Sequence, residues 1–107
     1  MSSKLHLKDQ PTLADLQQYV RDMVAERGFN DNIAQKFMLF TEEVGEFAKA
    51  SRKSTGMHMA LDAAKQDVAG EAADVLIVLL DLCNKLGVDL EQAFRDKEAH
   101  NKRRVWQ

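Results

Sequence analysis

Two short acidic segments hold the side chains of this sequence that are best suited to chemistry. Glu43 and Glu46 lie in the first segment, and Glu71 and Asp74 lie in the second. Carboxylates three residues apart share one side of a helix, and their oxygens are the ligands that Mg²⁺ and Mn²⁺ prefer. Gathered in one place, they would repel one another unless a cation lay between them. The spacing therefore predicts a divalent metal site, if the fold brings both segments together.

The competing interpretation is two solvated acidic faces on ordinary surface helices. A di-iron centre is disfavoured, because helical di-iron proteins use Glu-x-x-His pairs and no histidine stands near either acidic pair. Gly45 and Gly70 stand beside the acids inside predicted helices, where glycine costs about 1 kcal/mol relative to alanine. We therefore expect backbone or a ligand to approach these two glycines closely.

Hydrophobic periodicity predicts the helices that must position these side chains. The first begins near Thr12 and ends at Gly28, and the second is capped by Asn30 or Asp31. The apolar stripe of the second helix consists of Ile33, Phe37, Phe40, Val44 and Phe47.

Two further helices complete the pattern. A loop at residues 54–56 separates the second helix from the third, and Gly87 ends the third. Asp89 with Gln92 resembles a capping box for the fourth helix. Because no strand pattern occurs, the predicted fold is all-α, a four-helix bundle.

The second and third helices are predicted to form an antiparallel hairpin with their apolar stripes packed together. Level residues of such a hairpin have a constant sum of residue numbers, and the midpoints of the two acidic pairs give 117. The turn is then centred at His58 and Met59. Neighbouring helices lie about 8–10 Å apart, so we expect all four carboxylates at one level and on one side of the hairpin.

The third helix is apolar on all sides between Val75 and Leu80, which is typical of a helix that is buried on all sides. A chain of 107 residues has few other helices with which to surround it. We therefore expect Ile77 and Leu80 to pack on a second subunit. The alternative is that the first and fourth helices cover this side alone.

Length and composition exclude several other classes of protein. The 107 residues correspond to a single domain, 1–107, with residues 1–11 as a poorly ordered lead-in. A net charge of −2 argues against stable nucleic-acid binding, and the single cysteine, Cys83, excludes an internal disulfide framework. The longest apolar run is too short to span a membrane, and no signal-peptide pattern occurs at the start. We therefore expect a cytoplasmic protein.

Basic residues near the acidic segments suggest an anionic ligand. Lys36 lies two turns before Glu43 on nearly the same side, where it would either reach a phosphate held by the metal or remain solvated. On the fourth helix, one line of positions changes from apolar to polar residues: Leu90, Phe94, Lys97, Asn101 and Arg104. This line either points first at a core and then at an anion, or simply runs out of the bundle into solvent.

The acidic segments and their surroundings resemble the MazG-like nucleotide pyrophosphohydrolases of the all-α NTP pyrophosphatase superfamily. The resemblance rests on residues 40–50 and 70–80 and continues through residues 86–94 to Arg104. It implies a MazG-type fold, Mg²⁺ as the cofactor with Mn²⁺ as a substitute, and a homodimer or homotetramer. It also implies hydrolysis of (d)NTP to (d)NMP and pyrophosphate, often to clear surplus or non-standard nucleotides.

The resemblance assigns roles to the acidic residues. It implies four metal ligands: Glu43, Glu46, Glu71 and Asp74. Glu42 is similar to the extra acid that some members use near the attacking water, so Glu42 and Glu43 are the expected catalytic residues.

Other positions match the substrate side of the family pattern. Lys97, Asn101 and Arg104 match a polar tail associated with phosphate and nucleotide contacts, and Lys36 is a further candidate for substrate binding. Val78 departs from the pattern, since several members carry tyrosine there. Two alternatives to a nucleotide pyrophosphohydrolase stay open: a catalytically idle helical oligomer that binds nucleotide or a protein partner, and a metal hydrolase acting on another phosphorylated substrate.

Overall fold

A computed structural model describes residues 3–55 and 67–104, which form four α-helices and no strand. The helices are α1 (Leu13–Arg27), α2 (Ile33–Ser54), α3 (Val68–Leu86) and α4 (Leu90–Lys102). The predicted all-α class is therefore confirmed for this part of the chain. The predicted turn at His58 and Met59 lies outside the described residues. None of the described helices is long and apolar enough to cross a membrane.

The ends of the helices follow from short polar side chains and glycines. The Thr12 hydroxyl accepts from the Asp15 N–H at 3.1 Å, and the Asp15 carboxylate accepts from the Thr12 N–H at 3.0 Å, which forms a capping box at the start of α1. Gly28 and Gly87 end α1 and α3 with φ angles of 68° and 71°, a left-handed conformation that favours glycine. Local sequence thus sets these boundaries.

Two predicted caps differ in detail. Helix α2 is capped by Asn32, not by Asn30 or Asp31, because the Asn32 side chain accepts from the Gln35 N–H at 2.9 Å. The Asn30 side chain accepts from the Asn32 N–H at 2.6 Å instead, and so stiffens the connection before the cap. Asp89 caps α4 by accepting from the Gln92 N–H at 3.1 Å, but the predicted capping box is not completed, because the Gln92 side-chain amide donates to Asp96 Oδ1 at 2.9 Å instead.

Helix α3 lies between α1 and α2 and contributes the most buried large side chain of the described core. Leu80 is 1% exposed and packs against Val20, Met23 and Val24 of α1. The prediction that Leu80 faces a second subunit is therefore wrong, because α1 already covers it. Ile77, on another side of α3, is 37% exposed.

The side of α2 that meets α3 is not centred on its apolar stripe. Lys36 and Ala50 are buried on α2, and Glu43 lies midway between them at seven-residue steps, which return to nearly the same side of a helix. The stripe residues Ile33, Phe37 and Val44 are instead exposed: 40%, 47% and 40%. The predicted stripe-to-stripe packing is therefore right only in part. Phe40 and Phe47 of the stripe are half-buried, whereas the other three stripe residues stay largely uncovered.

A buried ion pair joins α2 to α3. The Lys36 ammonium donates to Asp81 Oδ2, and the two residues are 6% and 9% exposed. Their residue numbers also sum to 117. A second ion pair lies just before the start of α2, where Asp31 pairs with Lys85 in the last turn of α3 at 2.6 Å. Because early residues of α2 meet late residues of α3, the two helices run antiparallel.

The two glycines beside the acids have different surroundings. A Cβ atom at Gly70 would lie 2.1 Å from Asp67 Oδ2, because the Asp67 side chain folds over the first turn of α3 and accepts from the Gly70 N–H at 2.8 Å. The group close to Gly70 is thus the Asp67 side chain of the helix cap, and not the backbone or ligand that was expected. A Cβ at Gly45 would meet no described atom within 4 Å, so the approach predicted there is not found among the described residues.

A buried glutamine connects α1 to the start of α4. The Gln17 amide donates to Asn84 Oδ1 at 3.0 Å and to the Val88 carbonyl at 2.6 Å, and its oxygen accepts from the Leu90 N–H at 3.0 Å. These bonds fix the α3–α4 connection on α1 and so determine the direction in which α4 leaves.

Candidate metal centre

Three carboxylates from α2 and α3 converge between the two helices. Glu43 of α2 and Glu71 and Asp74 of α3 each offer one oxygen, and these oxygens all lie within 4.8 Å of one another. Glu43 and Glu71 are half-buried, whereas Asp74 is exposed. The cluster therefore has a protected side against the helix pair and an open side that solutes can reach.

The electrostatics of the cluster favour a bound cation. Partial burial raises the pKa of the Glu43 carboxyl above its usual value, and the neighbouring Asp74 and Glu71 carboxylates raise it further. Glu46 and Glu42 act in the same direction. Both effects penalise the charged form of Glu43, so a positive charge placed in the cluster would relieve them.

The described residues supply no such charge through an ion pair. The ion pairs found within residues 3–55 and 67–104 join Lys8 to Asp15, Lys36 to Asp81 and Lys85 to Asp31, and none of them includes a cluster carboxylate.

The donor atoms suit a hard divalent ion. All are carboxylate oxygens that lie within 4.8 Å of one another, and Mg²⁺ and Ca²⁺ are bound in proteins by oxygen ligands of this kind. The cluster therefore fits a divalent metal site.

Two of the predicted acidic residues flank the cluster. Glu46 and Glu42 are both exposed on α2. Glu46 lies about 60° around the helix from Glu43, because three residues advance a helix by about 300°. Of the four predicted ligands, the structure thus brings three together and places Glu46 beside them.

Two positions were predicted for Lys36: in contact with a metal-held phosphate, or in solvent. The structure shows a third position, in which the Lys36 side chain is buried two helical turns from Glu43 and its ammonium is bound to Asp81. The sequence analysis did not single out Asp81 as a functional residue. The residue numbers of Lys36 and Asp81 sum to 117, the same value as the midpoints of the acidic pairs, and this shared sum could have identified Asp81 as the partner of Lys36.

The predicted polar tail lies at the end of α4: Lys97 and Asn101 are on the helix, and Arg104 lies two residues beyond its last residue, Lys102. Lys97 and Arg104 are exposed and Asn101 is half-buried. Helix α4 packs against α1, whereas the carboxylates lie between α2 and α3. Leu90, at the start of the same line, packs against the described core, as predicted, whereas Phe94 is 67% exposed.

Comparison with known proteins identifies the family. The chain matches the phosphoribosyl-ATP pyrophosphohydrolase family over residues 11–101. It belongs to that family. The predicted kinship with the all-α NTP pyrophosphatases, MazG-like proteins among them, is thereby confirmed. The matched range contains every residue of the carboxylate cluster, both helices that form it and the Lys36–Asp81 pair.

Two curated relatives come from bacteriophages, and both are named dATP/dGTP diphosphohydrolase. The protein from Salmonella phage PMBT28 is 36% identical over 97 residues, covering 90% of this chain and 28% of the relative. The protein from Cyanophage S-2L is 38% identical over 65 residues, covering 61% of this chain and 50% of the relative. The chain thus spans half or less of the length of these relatives. No solved structure matches it.

Replacing one cluster carboxylate by an amide tests the electrostatics directly. In EDTA, we expect Glu71→Gln to raise the free energy of unfolding by about 1 kcal/mol, because it removes one like charge from a half-buried group. Excess Mg²⁺ should stabilise the wild type more than the variant, since the variant has lost a ligand. Urea denaturation with and without Mg²⁺ measures both effects.

Glu98→Gln is the matched control for this experiment, because Glu98 is an exposed glutamate on α4, outside the cluster. It should change neither the stability in EDTA nor the response to Mg²⁺. An equal response to Mg²⁺ in Glu71→Gln and wild type would contradict the assignment of Glu71 as a ligand.

Proposed function

We propose that this protein is a Mg²⁺-dependent nucleoside triphosphate pyrophosphohydrolase that cleaves (d)NTP to (d)NMP and pyrophosphate. The observation that carries the proposal is the cluster of Glu43, Glu71 and Asp74 in a chain of this family. The names of the two phage relatives make dATP and dGTP the first substrates to test. Clearance of nucleotides from the cytoplasmic pool is the role we propose for this activity.

The cluster carboxylates would hold the metal, and Glu46 stands on their flank where it can complete the ligand set. A bound divalent ion neutralises triphosphate oxygens and lowers the pKa of a bound water. Glu42 is exposed one position before Glu43 and so faces solvent beside the cluster. There its carboxylate would accept a proton from the attacking water or orient it.

By the family pattern, the basic end of α4 is the proposed source of positive charge for the leaving group, and because α4 packs against α1 of its own copy, we propose that it reaches the phosphates of a second copy. Lys97 and Arg104 would offset the charge that develops on the departing pyrophosphate, and the Asn101 amide would hydrogen-bond a phosphate oxygen. Lys36 has a different task in this scheme: paired with Asp81, it holds α2 and α3 in the register that forms the cluster.

Pyrophosphate release from a panel of dNTPs and NTPs tests the activity. With Mg²⁺, the wild type should release pyrophosphate and leave the monophosphate. Glu71→Gln should lower kcat/KM by more than about 100-fold, because even the loss of a supporting contact behind a metal ligand costs 10- to 100-fold. Glu98→Gln should keep the wild-type rate. Coupled pyrophosphate detection and chromatography of the nucleotides give both readouts.

The competing function is a helical module that binds nucleotide or a protein partner without turnover. It predicts nucleotide affinity with no pyrophosphate release from any member of the panel, and that result would contradict the proposed enzyme.

We also propose that a second copy of the chain covers the apolar stripe of α2. Ile33, Phe37 and Val44 lie on one side of that helix, and all three are exposed. The radius of gyration is 16.8 Å, against about 13 Å for a compact domain of this length. A single copy therefore leaves apolar surface uncovered and is more extended than a compact domain of this length.

Sedimentation equilibrium tests the assembly. The wild type should be a dimer or tetramer at micromolar concentration, and Phe37→Glu should shift it to monomer because a charge at the centre of the stripe opposes its burial. Met38→Glu is the matched control, since Met38 is 66% exposed on another side of α2. A monomeric wild type would overturn this part of the proposal.

A further inference from the structure

Helix α4 is attached to the rest of its own copy mainly near its first residues. No residue of α4 is buried within the described part of the chain, and the helix packs mainly against α1. Leu90, its first residue, packs against the described core, whereas Phe94, one turn later, is 67% exposed. The direction of α4 is therefore set by the contacts at its start.

The amide of Gln17 on α1 is the central contact at that start. Its Nε2 donates to Asn84 Oδ1 at 3.0 Å and to the Val88 carbonyl at 2.6 Å, and its Oε1 accepts from the Leu90 N–H at 3.0 Å. This N–H is one of the donors that the first turn of a helix leaves without a partner in the helix itself. Both amide hydrogens and the amide oxygen are engaged, and Gln17 is 6% exposed, so the amide is held in one orientation.

Asn84 of α3 fixes the same junction from the other side. Its Nδ2 donates to the Gln17 backbone carbonyl at 3.1 Å, and its Oδ1 also accepts from the Arg21 guanidinium at 2.9 Å. A second, exposed tether lies nearby, where Glu91 Oε1 accepts from the Ala14 N–H at 3.1 Å. Polar networks in which every buried member is satisfied rigidify a structure and favour one arrangement. Hydrogen bonds thus join α1, α3 and the start of α4 at one junction.

The length of α4 amplifies any change at this junction. Leu90 and Asn101 are eleven residues apart, which corresponds to about 16 Å along an α-helix, so a tilt of about 10° at Leu90 displaces the far end by about 3 Å. A misplacement of about 1 Å can cost a factor of about 100 in rate. A small change in the angle of α4 is therefore enough to remove contacts made by its far end.

We infer that Gln17 is a positioning residue for hydrolysis: through Leu90, it holds α4 at the angle at which Lys97 and Arg104 reach the phosphates of the substrate. The inference rests on the proposed function, in which these side chains serve the phosphates of a second copy. Gln17 acts through α4 and touches neither substrate nor metal, because it lies on α1 and the carboxylate cluster lies between α2 and α3. Its loss should weaken the phosphate contacts and leave the metal site intact.

Steady-state kinetics with Gln17→Met tests the inference, because methionine keeps the length of the side chain and removes the amide hydrogen bonds. For the nucleotide that the wild type hydrolyses best, kcat/KM should fall at least about tenfold, while stabilisation by excess Mg²⁺ stays as in the wild type. Gln18→Met is the matched control, since Gln18 is exposed and its side chain bonds only Asp22 and Arg21 of α1. Glu91→Ala removes the second tether alone, should give a smaller loss of the same kind, and replaces Gln17→Met if that variant does not fold.

A second background separates positioning from a general loss of stability. In Lys97→Ala/Arg104→Ala protein, Gln17→Met should lower kcat/KM further by less than about twofold, because the effects of residues that act through one another are not additive. A further loss as large as the one in the wild-type background would show that Gln17 acts independently of these side chains, and would reject the inference.

The direction of α4 can also be measured without any activity. Spin labels at Asp22→Cys and Glu98→Cys, two exposed positions on α1 and α4, report the distance between the helices by electron paramagnetic resonance in a Cys83→Ser chain diluted with unlabelled protein. Gln17→Met should broaden the distance distribution or move its maximum by about 2 Å. An unchanged distribution, or unchanged kinetics beside normal wild-type hydrolysis, rejects the inference alone. A wild type that hydrolyses no nucleotide rejects the proposed function and this inference with it.

Discussion

The buried contact between the Lys36 ammonium and the Asp81 carboxylate is the constraint on which the other features of α2 and α3 depend. Both side chains are removed from water, and loss of one partner from such a pair commonly costs 3–5 kcal/mol because the other charge stays buried. A slide of α2 along α3 by one turn would separate them. The pair therefore opposes every register except the one observed, and that register sets Glu43 beside Glu71 and Asp74.

The same arrangement stabilises the α2–α3 pair less than an apolar interface would. Helix α2 turns a lysine and a glutamate toward α3 and leaves Ile33, Phe37 and Val44 uncovered. An apolar interface between α2 and α3 would bury more hydrophobic surface and would stabilise a single chain better. What the observed packing provides is a line of polar groups between two helices, with the carboxylate cluster at one end and the Lys36–Asp81 pair at the other. Repulsion among the carboxylates is the cost of a site prepared for a cation.

Much of this organisation could be predicted from local sequence. The capping residues Thr12 and Asp89 and the terminating Gly28 and Gly87 act within a few residues of the chain, so their effects are readable without knowing the tertiary fold. The level of the acids was also predictable, because a helical hairpin fixes which residue numbers stand side by side.

The side on which α2 meets α3 could not be predicted in the same way. Periodicity identifies an apolar stripe but does not tell which neighbour covers it, and in this chain α3 packs about a quarter turn away from the stripe. Leu80 was misassigned for the same reason, since whether α1 or a second copy covers a helix that is apolar all round depends on contacts between distant residues. Gly70 shows a further limit: the atoms that crowd it belong to the Asp67 cap, a local contact that spacing alone does not distinguish from a ligand.

A crystal structure of the protein grown with Mn²⁺, with the anomalous signal of the ion used to locate it, would show whether the carboxylate cluster binds a metal. We expect one strong peak at bonding distance from carboxylate oxygens of Glu43, Glu71 and Asp74. A structure in which Mn²⁺ is present but bound elsewhere, with Glu43 and Glu71 turned apart, would contradict this expectation.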